Sequence, residues 1–118
     1  MQETLIDRDI LSYYFRGQDG VHNNILECSK SFDRLNISII TYYEIVSGLK
    51  AKNANRQLKS FKEFSEINNV LPITEKSVSI SAEIYAKLKK EGQIVDDIDL
   101  LIAGVAIENK LILITNNT

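Results

Sequence analysis

Apolar residues along the chain come in runs of two lengths. The short runs are rich in branched side chains, as buried strands are, and lie at Thr4–Ile6, Ile37–Ile40, Val70–Ile73 and Leu111–Ile114. The longer runs have helical spacing and lie at Ile10–Phe15, Ile25–Leu35, Tyr42–Leu49, Leu58–Ile67, Val78–Leu88 and Leu100–Ile107. Strands that are apolar throughout and joined by helices predict an α/β fold, a three-layer α/β/α sandwich around a central parallel sheet.

Length and composition predict a single domain over residues 1–118. The chain is 44% hydrophobic and 25% charged, which is ordinary for a globular domain that buries its own core. Its one cysteine, Cys28, cannot form an intramolecular disulfide. The first residues lack a signal-peptide pattern, and no run reaches the roughly 18 apolar residues that cross a bilayer. We therefore expect a cytoplasmic protein that does not associate with membranes. The net charge of −2 neither indicates nor excludes a nucleic-acid partner.

The predicted helix Val78–Leu88 carries apolar residues around much of its circumference. Such a helix should be buried on more than one side. A subunit interface and enclosure by neighbouring helices both explain the pattern.

Acidic residues follow three of the predicted elements. Asp7 follows the first strand, Glu44 lies one turn into the helix after the second strand, and Asp96, Asp97 and Asp99 open the last helix. In parallel sheets, ligands bind where the strands end, so these acids should meet at one edge. Carboxylates brought together repel each other unless a cation neutralises them. Oxygen ligands without His or Cys suit Mg²⁺ or Mn²⁺.

Each acid also has a structural interpretation. The segment from Thr41 to Glu44 has the form of a capping box. Asp97 fits an N-cap, and Asp99 in the first turn would gain from the helix dipole. Asp7 has no such role if its helix begins at Asp9. The convergence of all three groups of acids favours a metal site.

Five segments, taken in order, resemble the PIN-domain ribonucleases of the VapC toxin type. They are LIDRDILSYYFRG, ISIITYYEIVSGLK, LPITEKSVSISAEIYAKLKKEGQ, VDDIDLLIAGVAIENK and LILITNNT, and they cover nearly the whole chain. The resemblance implies a PIN-like fold and an endoribonuclease toxin that depends on Mg²⁺ or Mn²⁺ and hydrolyses RNA phosphodiester bonds by metal-activated water. It also implies a VapB-like antitoxin as partner, and a homodimer.

The resemblance assigns catalysis and metal binding to Asp7, Glu44 and Asp99, with Asp96 close enough to assist the metal. The family's fourth position, often acidic, falls here on Asn117, with Thr115 nearby. An amide supplies no charge, so the site should have at most three anionic ligands. Chains of this family usually continue into a final edge strand, which this sequence would lack.

Arg8 stands where the family usually has Thr or Ser. Its guanidinium can pair with the acids and compete with the metal, which would lower activity. Turning outward to contact RNA and inactivating the site are the other interpretations.

A basic stretch follows the Glu44 helix. It contains five cations and no acid, namely Lys50, Lys52, Arg56, Lys59 and Lys62. These residues are candidates for contacts with RNA phosphates, and a solvated helix face is the plain alternative.

Two other functions compete. Asp7 and Asp9 after a first strand also resemble haloacid-dehalogenase-like phosphatases, with Asp7 as nucleophile and Asp9 as general acid and base. That interpretation leaves Glu44 unused. The other is a catalytically silent partner-binding module, in which Arg8 occupies the acids.

Overall fold

A computed structural model describes residues 3–15 and 35–114 of the chain, the first range without the side chains of residues 12–15. The strands and helices in these ranges are, in chain order, β1 (Thr4–Ile6), α1 (Arg8–Phe15), β2 (Asn36–Ser38), α2 (Ile39–Ala51), α3 (Asn55–Ile67), β3 (Asn69–Leu71), α4 (Glu75–Lys90), α5 (Asp97–Glu108) and β4 (Ile112–Ile114). The predicted helix Ile25–Leu35 lies outside them, apart from its last residue. None of the helices in these ranges is long and apolar enough to cross a membrane.

The sheet has four parallel strands in the order β3-β2-β1-β4. Leu5 and Ile6 are consecutive in β1 and both are buried, and successive strand residues point to opposite faces. Ile6 belongs to the core cluster that includes Phe61 of α3, with which residues of α1 and α2 also pack. Leu5 belongs to a second cluster with Val105 of α5. Helices therefore cover both faces of the sheet, which confirms the predicted α/β sandwich.

The boundary between β2 and α2 lies earlier than the apolar pattern predicts. Ser38 caps α2, because its hydroxyl accepts a hydrogen bond from the Thr41 backbone N–H at 3.0 Å. The prediction of a strand over Ile37–Ile40 is therefore wrong at its last two residues, which are helical. The predicted capping box is wrong too, since Thr41 lies inside the helix and Glu44 lies in its second turn. Glu44 is thereby free of a capping role.

The side-chain amides of buried Asn36 and partly buried Asn69 link three neighbouring strands. The Asn36 side chain donates to the Thr4 carbonyl at 3.0 Å, and the Asn69 side chain donates to the Asn36 side-chain oxygen at 2.9 Å. Asn69 begins β3, which lies at Asn69–Leu71 rather than at Val70–Ile73. A pattern of apolar residues could not locate these amides, although they help to set the strand register.

Helices α4 and α5 run antiparallel and in close contact. The Thr74 hydroxyl, before α4, donates to the Glu108 carboxylate at 2.7 Å, and the Ser81 hydroxyl donates to the Leu100 carbonyl at 2.7 Å. Gly104 of α5 lies against Ser81, where a side chain would not fit. The acidic start of α5 is thus held in place by α4.

The side of α4 that adjoins this contact is open. Val78 and Tyr85 remain 43% and 46% exposed, whereas Ser77 and Ser81 are buried. Enclosure by neighbouring helices is therefore wrong for the part of the chain that the structure describes. A subunit interface stays a prediction.

Candidate active site

A cavity of about 320 Å³ lies beside the carboxyl end of β1. It brings together the acids predicted from three separate segments, with Arg8 among them. Its lining consists of Asp7, Arg8, Asp9, Glu44, Asp96, Ile98, Asp99 and Ile102. We call it the acid cavity. The sequence reasoning missed the two isoleucines, whose side chains form its apolar part.

Asp7 lies between β1 and α1 and is partly buried. Its carboxylate accepts a hydrogen bond from the Arg8 backbone N–H at 2.7 Å, and its carbonyl accepts one from Leu11 N–H at 3.2 Å. Helix α1 begins at Arg8 and not at Asp9, so the condition under which Asp7 was expected to have no capping role does not hold. Burial raises the pKa of Asp7, and the charges of Asp9 and Asp99 raise it further against the opposing hydrogen bond.

Glu44 reaches the acid cavity from α2, with its side chain 21% exposed. Burial raises the pKa of its carboxyl group, and the nearby charges of Asp7 and Asp99 act in the same direction. The Arg8 guanidinium lowers the pKa of Glu44 but does not cancel these effects. Asp7 and Glu44 therefore both gain from an added positive charge.

Arg8 already supplies one positive charge. Its guanidinium contacts the Glu44 carboxylate at 3.4 Å and the Asp9 carboxylate at 3.3 Å. Pairing of Arg8 with the acids, one of the interpretations drawn from the sequence, is therefore observed. The Arg8 side chain is 48% exposed, so each pair contributes only about 0–1 kcal/mol. Such contacts can be exchanged for others.

Helix α5 presents its acids through its first turn. The Asp96 side chain accepts a hydrogen bond from the Ile98 backbone N–H at 2.7 Å, so Asp96 is the N-cap. The expectation that Asp97 caps this helix is wrong by one residue. Asp97 does not line the acid cavity, whereas Asp96 and Asp99 do.

The chemistry of the acid cavity suits a hard divalent cation. Carboxylates from three segments surround one space, and repulsion between them helps to raise the pKa of Asp7 and Glu44. Within residues 3–15 and 35–114, however, no three His, Cys, Asp or Glu side chains stand in a geometry that holds a metal as they are. Glu44 is engaged with Arg8, so side-chain rearrangement must accompany binding. The accessory candidates Thr115 and Asn117 lie outside the described residues.

A second cavity, of about 280 Å³, adjoins the first. The two share Arg8, Asp9 and Glu44, and the second adds a short set of residues on and just after α2, namely Ile45, Gly48, Leu49 and Lys52. Of the predicted basic stretch, Lys50, Lys52, Arg56, Lys59 and Lys62 are all exposed, and Lys52 alone among them lines this cavity. The sequence could have indicated this set, because Glu44, Gly48 and Lys52 are spaced by four residues and such residues lie on one side of a helix.

The family profile of the PIN domain matches residues 4–118. The chain belongs to the PIN-domain family. This family membership does not favour the alternative of a haloacid-dehalogenase-like phosphatase with Asp7 as nucleophile. The start of α1 directly after Asp7 does not favour it either.

Individual PIN-domain relatives resemble this chain over most of its length. Ribonuclease VapC1 of Methanocaldococcus jannaschii is 40% identical over 81 residues, which are 69% of this chain and 57% of that protein. VapC ribonuclease PF0355 of Pyrococcus furiosus is 33% identical over 96 residues, covering 80% of this chain and 62% of that protein. The chain thus spans less than two thirds of the length of either relative.

A solved structure shows the same PIN-domain architecture. The crystal structure of VapBC2 from Rickettsia felis, bound to a DNA fragment from their promoter, superposes with a TM-score of 0.85 at 25% identity. The match covers 97% of this chain and 86% of that one.

Proposed function

We propose that this PIN domain is a metal-dependent endoribonuclease toxin of a toxin–antitoxin pair. The observation that carries the proposal is the acid cavity, in which Asp7, Glu44 and Asp99 come from three separate segments and meet around one space. The similarity to proteins named VapC ribonucleases supports the same activity.

In this proposal Asp7, Glu44 and Asp99 hold Mg²⁺ or Mn²⁺, and Asp96 assists from the start of α5. When bound, such an ion neutralises the carboxylates, polarises the scissile phosphodiester and makes water a better nucleophile. Because the pKa of Asp7 and Glu44 is raised, protons compete for these side chains at a higher pH than for ordinary carboxylates. Arg8, which contacts Glu44, would either release it to the ion or remain beside the ion.

The accessory positions Thr115 and Asn117 follow β4. The Asp7 backbone N–H donates to the Ile114 carbonyl at 3.0 Å, and Ile114 pairs with Ile6 in the sheet. The chain therefore leaves β4 beside Asp7, which supports a contribution from these two residues to the site.

The basic stretch supplies the expected contacts to RNA phosphates. Its cations lie at the end of α2 and along α3, and all are exposed. Lys59 and Lys62 are three residues apart and share one side of α3. Neutralising phosphates in this way makes the affinity for RNA fall with salt.

We also propose a VapB-like antitoxin as partner, because the similar Rickettsia felis structure is a VapBC complex. The exposed apolar side of α4, with Val78 and Tyr85, supports a homodimer. The toxin would act in the cytoplasm, where its RNA substrate is found.

A matched pair of variants tests the function. Purified protein is incubated with total cellular RNA in Mn²⁺, in Mg²⁺ or in chelator, and the same assays are run on Asp99→Asn and Asp97→Asn. Both variants lose one exposed carboxylate from the first turn of α5, but only Asp99 lines the acid cavity. We expect Asp99→Asn to lose activity about a hundredfold and Asp97→Asn to keep it. Cleavage that survives both the chelator and Asp99→Asn contradicts the proposal.

The silent partner-binding module remains the second candidate, because Arg8 already pairs with Glu44 and Asp9. It predicts no cleavage by any variant, weak Mn²⁺ binding, and unchanged partner binding by Asp7→Asn.

A further inference from the structure

The two cavities adjoin at Arg8, Asp9 and Glu44; together we call them the cleft, and its two ends differ in character. At one end the acid cavity adds Asp7, Asp96 and Asp99 to the residues that both cavities share. At the other end the second cavity adds apolar Ile45 and Leu49 and the cation Lys52. A polyanion can place one phosphate on a cation bound at the acid end. Its next groups then lie over the apolar floor formed by Ile45 and Leu49, and point toward the positive charge of Lys52.

The floor of the second cavity follows one side of α2. Glu44, Gly48 and Lys52 are four residues apart, so they lie on nearly the same side of the helix. From Glu44 to Lys52 the backbone rises about 12 Å, at about 1.5 Å per residue. Lys52 is the C-cap residue of α2 and is exposed, so its side chain is free to turn toward the cleft. This span suits a ligand that extends beyond the reacting phosphate.

Gly48 keeps this part of the cleft open. Glycine within a helix is less favourable than alanine, and it is often explained by a neighbour that approaches its backbone closely. In the part of the chain that the structure describes, no atom other than those of the helix backbone and the adjoining residues lies within 4 Å of the position that a Cβ of Gly48 would occupy. Packing among the described residues therefore does not require glycine at this position, and a larger side chain here would project into the open space over the second cavity.

We propose that this cleft, from Glu44 past Gly48 to Lys52, binds the nucleotide that adjoins the hydrolysed phosphodiester in single-stranded RNA. The ribose and base pack on Ile45, Gly48 and Leu49, and the phosphate on the far side of that nucleotide contacts Lys52. This subsite rests on the proposed ribonuclease function. It assigns to Gly48 and Leu49 a part in substrate binding that the charge pattern alone does not give them.

The test uses fluorescein-labelled single-stranded RNA of mixed sequence in Mn²⁺, with binding followed by stopped-flow fluorescence anisotropy, so that association is recorded before hydrolysis. Gly48→Leu fills the cleft with a good helix former, and we expect it to bind this RNA about tenfold more weakly. Its melting temperature should not fall, because no atom of the described residues meets a Cβ added at Gly48. Gly48→Ala adds only a methyl group and serves as the mild control.

Lys52→Ala tests the phosphate contact separately. Loss of one contact to a single strand should reduce the slope of log K against log salt by about 0.7. Lys76→Ala removes the same charge from α4, next to Thr74, at the end of the helix pair that holds Glu108 rather than Asp99. It should leave both the affinity and the slope unchanged.

Cleavage assays in Mn²⁺ separate this proposal from the one on which it rests. If the unaltered protein neither binds nor cleaves RNA, both are overturned. If it does both, and Gly48→Leu and Lys52→Ala behave as it does, the subsite is overturned and the ribonuclease function stands. If these variants keep RNA affinity but lose binding to the antitoxin, the cleft receives a peptide and the nucleotide subsite is again overturned.

Discussion

Replacing Arg8 by threonine should strengthen the binding of divalent cations. The guanidinium lies 3.4 Å from the Glu44 carboxylate and 3.3 Å from the Asp9 carboxylate. It therefore neutralises negative charge that would otherwise attract a metal ion. The ion must either displace it or bind beside it. In Arg8→Thr the ion neither has to displace a guanidinium nor has to bind beside one, and a hydroxyl group stands at this position.

The size of the effect follows from two bounds. If Arg8 turns away, only two exposed ion pairs are lost, each contributing about 0–1 kcal/mol. If it stays at about 4 Å from a divalent ion, repulsion amounts to about 2 kcal/mol at the dielectric constant of water. A value between the bounds, near 1.4 kcal/mol, corresponds to about tenfold tighter binding.

Isothermal titration calorimetry with Mn²⁺ measures this change directly, without RNA. Arg8→Lys keeps the charge but loses the fork, so its affinity should stay closer to that of the unaltered protein than Arg8→Thr does. Lys76→Thr changes the net charge equally, away from the acid cavity, and should have no effect. The reasoning is refuted if Arg8→Thr binds Mn²⁺ no more tightly than the unaltered protein.

Three further predictions concern stability without metal. Asp7→Asn should raise the melting temperature at neutral pH, because burial disfavours the charged carboxylate of Asp7. The pKa of Asp7 in the folded protein is above its usual value, so this gain in melting temperature should shrink as pH falls through that pKa toward 3.8. A gain that grows on acidification contradicts the assignment. Gly104→Ala should destabilise the protein by about 1–3 kcal/mol in urea denaturation, because the added methyl group meets the Ser81 hydroxyl and the Ser77 carbonyl. An unchanged midpoint of urea unfolding would show that α4 and α5 can separate at no cost in free energy. Phe61→Ala, which empties a fully buried ring position, should cost about 3–5 kcal/mol in the same measurement, and a loss below about 1 kcal/mol would mean that the site collapses around the gap.

The sequence predicts the sheet and the acids well because both depend on simple patterns. Leu5 and Ile6 of β1 are consecutive and both are buried, one on each face of the sheet, so this strand shows adjacent apolar residues rather than alternation. Asp7 and Asp99 were found from their positions relative to such runs, and the structure places them around the same cavity.

Local capping competes with these patterns and shifts the element boundaries. A serine hydroxyl that caps α2 turns two apolar residues from strand into helix, and Asp96 rather than Asp97 caps α5. One hydrogen bond decides each boundary, and neighbouring polar residues offer the same chemistry. Periodicity therefore cannot choose between them.

Contacts between residues that are far apart in the chain could not be predicted from the sequence. The approach of Arg8 to Glu44 joins residues 36 positions apart, and the open space over Gly48 depends on what α1 leaves uncovered. Charge counting could propose that Arg8 meets the acids. It could not show that one guanidinium contacts two of them.

The order of the strands has a consequence for a chain emerging from the ribosome. Strand β1 lies between β2 and β4, so it gains β4 as a neighbour only after residues 112–114 have been synthesised. Asp99 enters with the helix just before that strand. A nascent polypeptide that has reached Glu44 or even Lys90 therefore still lacks Asp99, and under the proposed function it would not cleave RNA beside the translating ribosome before α5 and β4 have been synthesised.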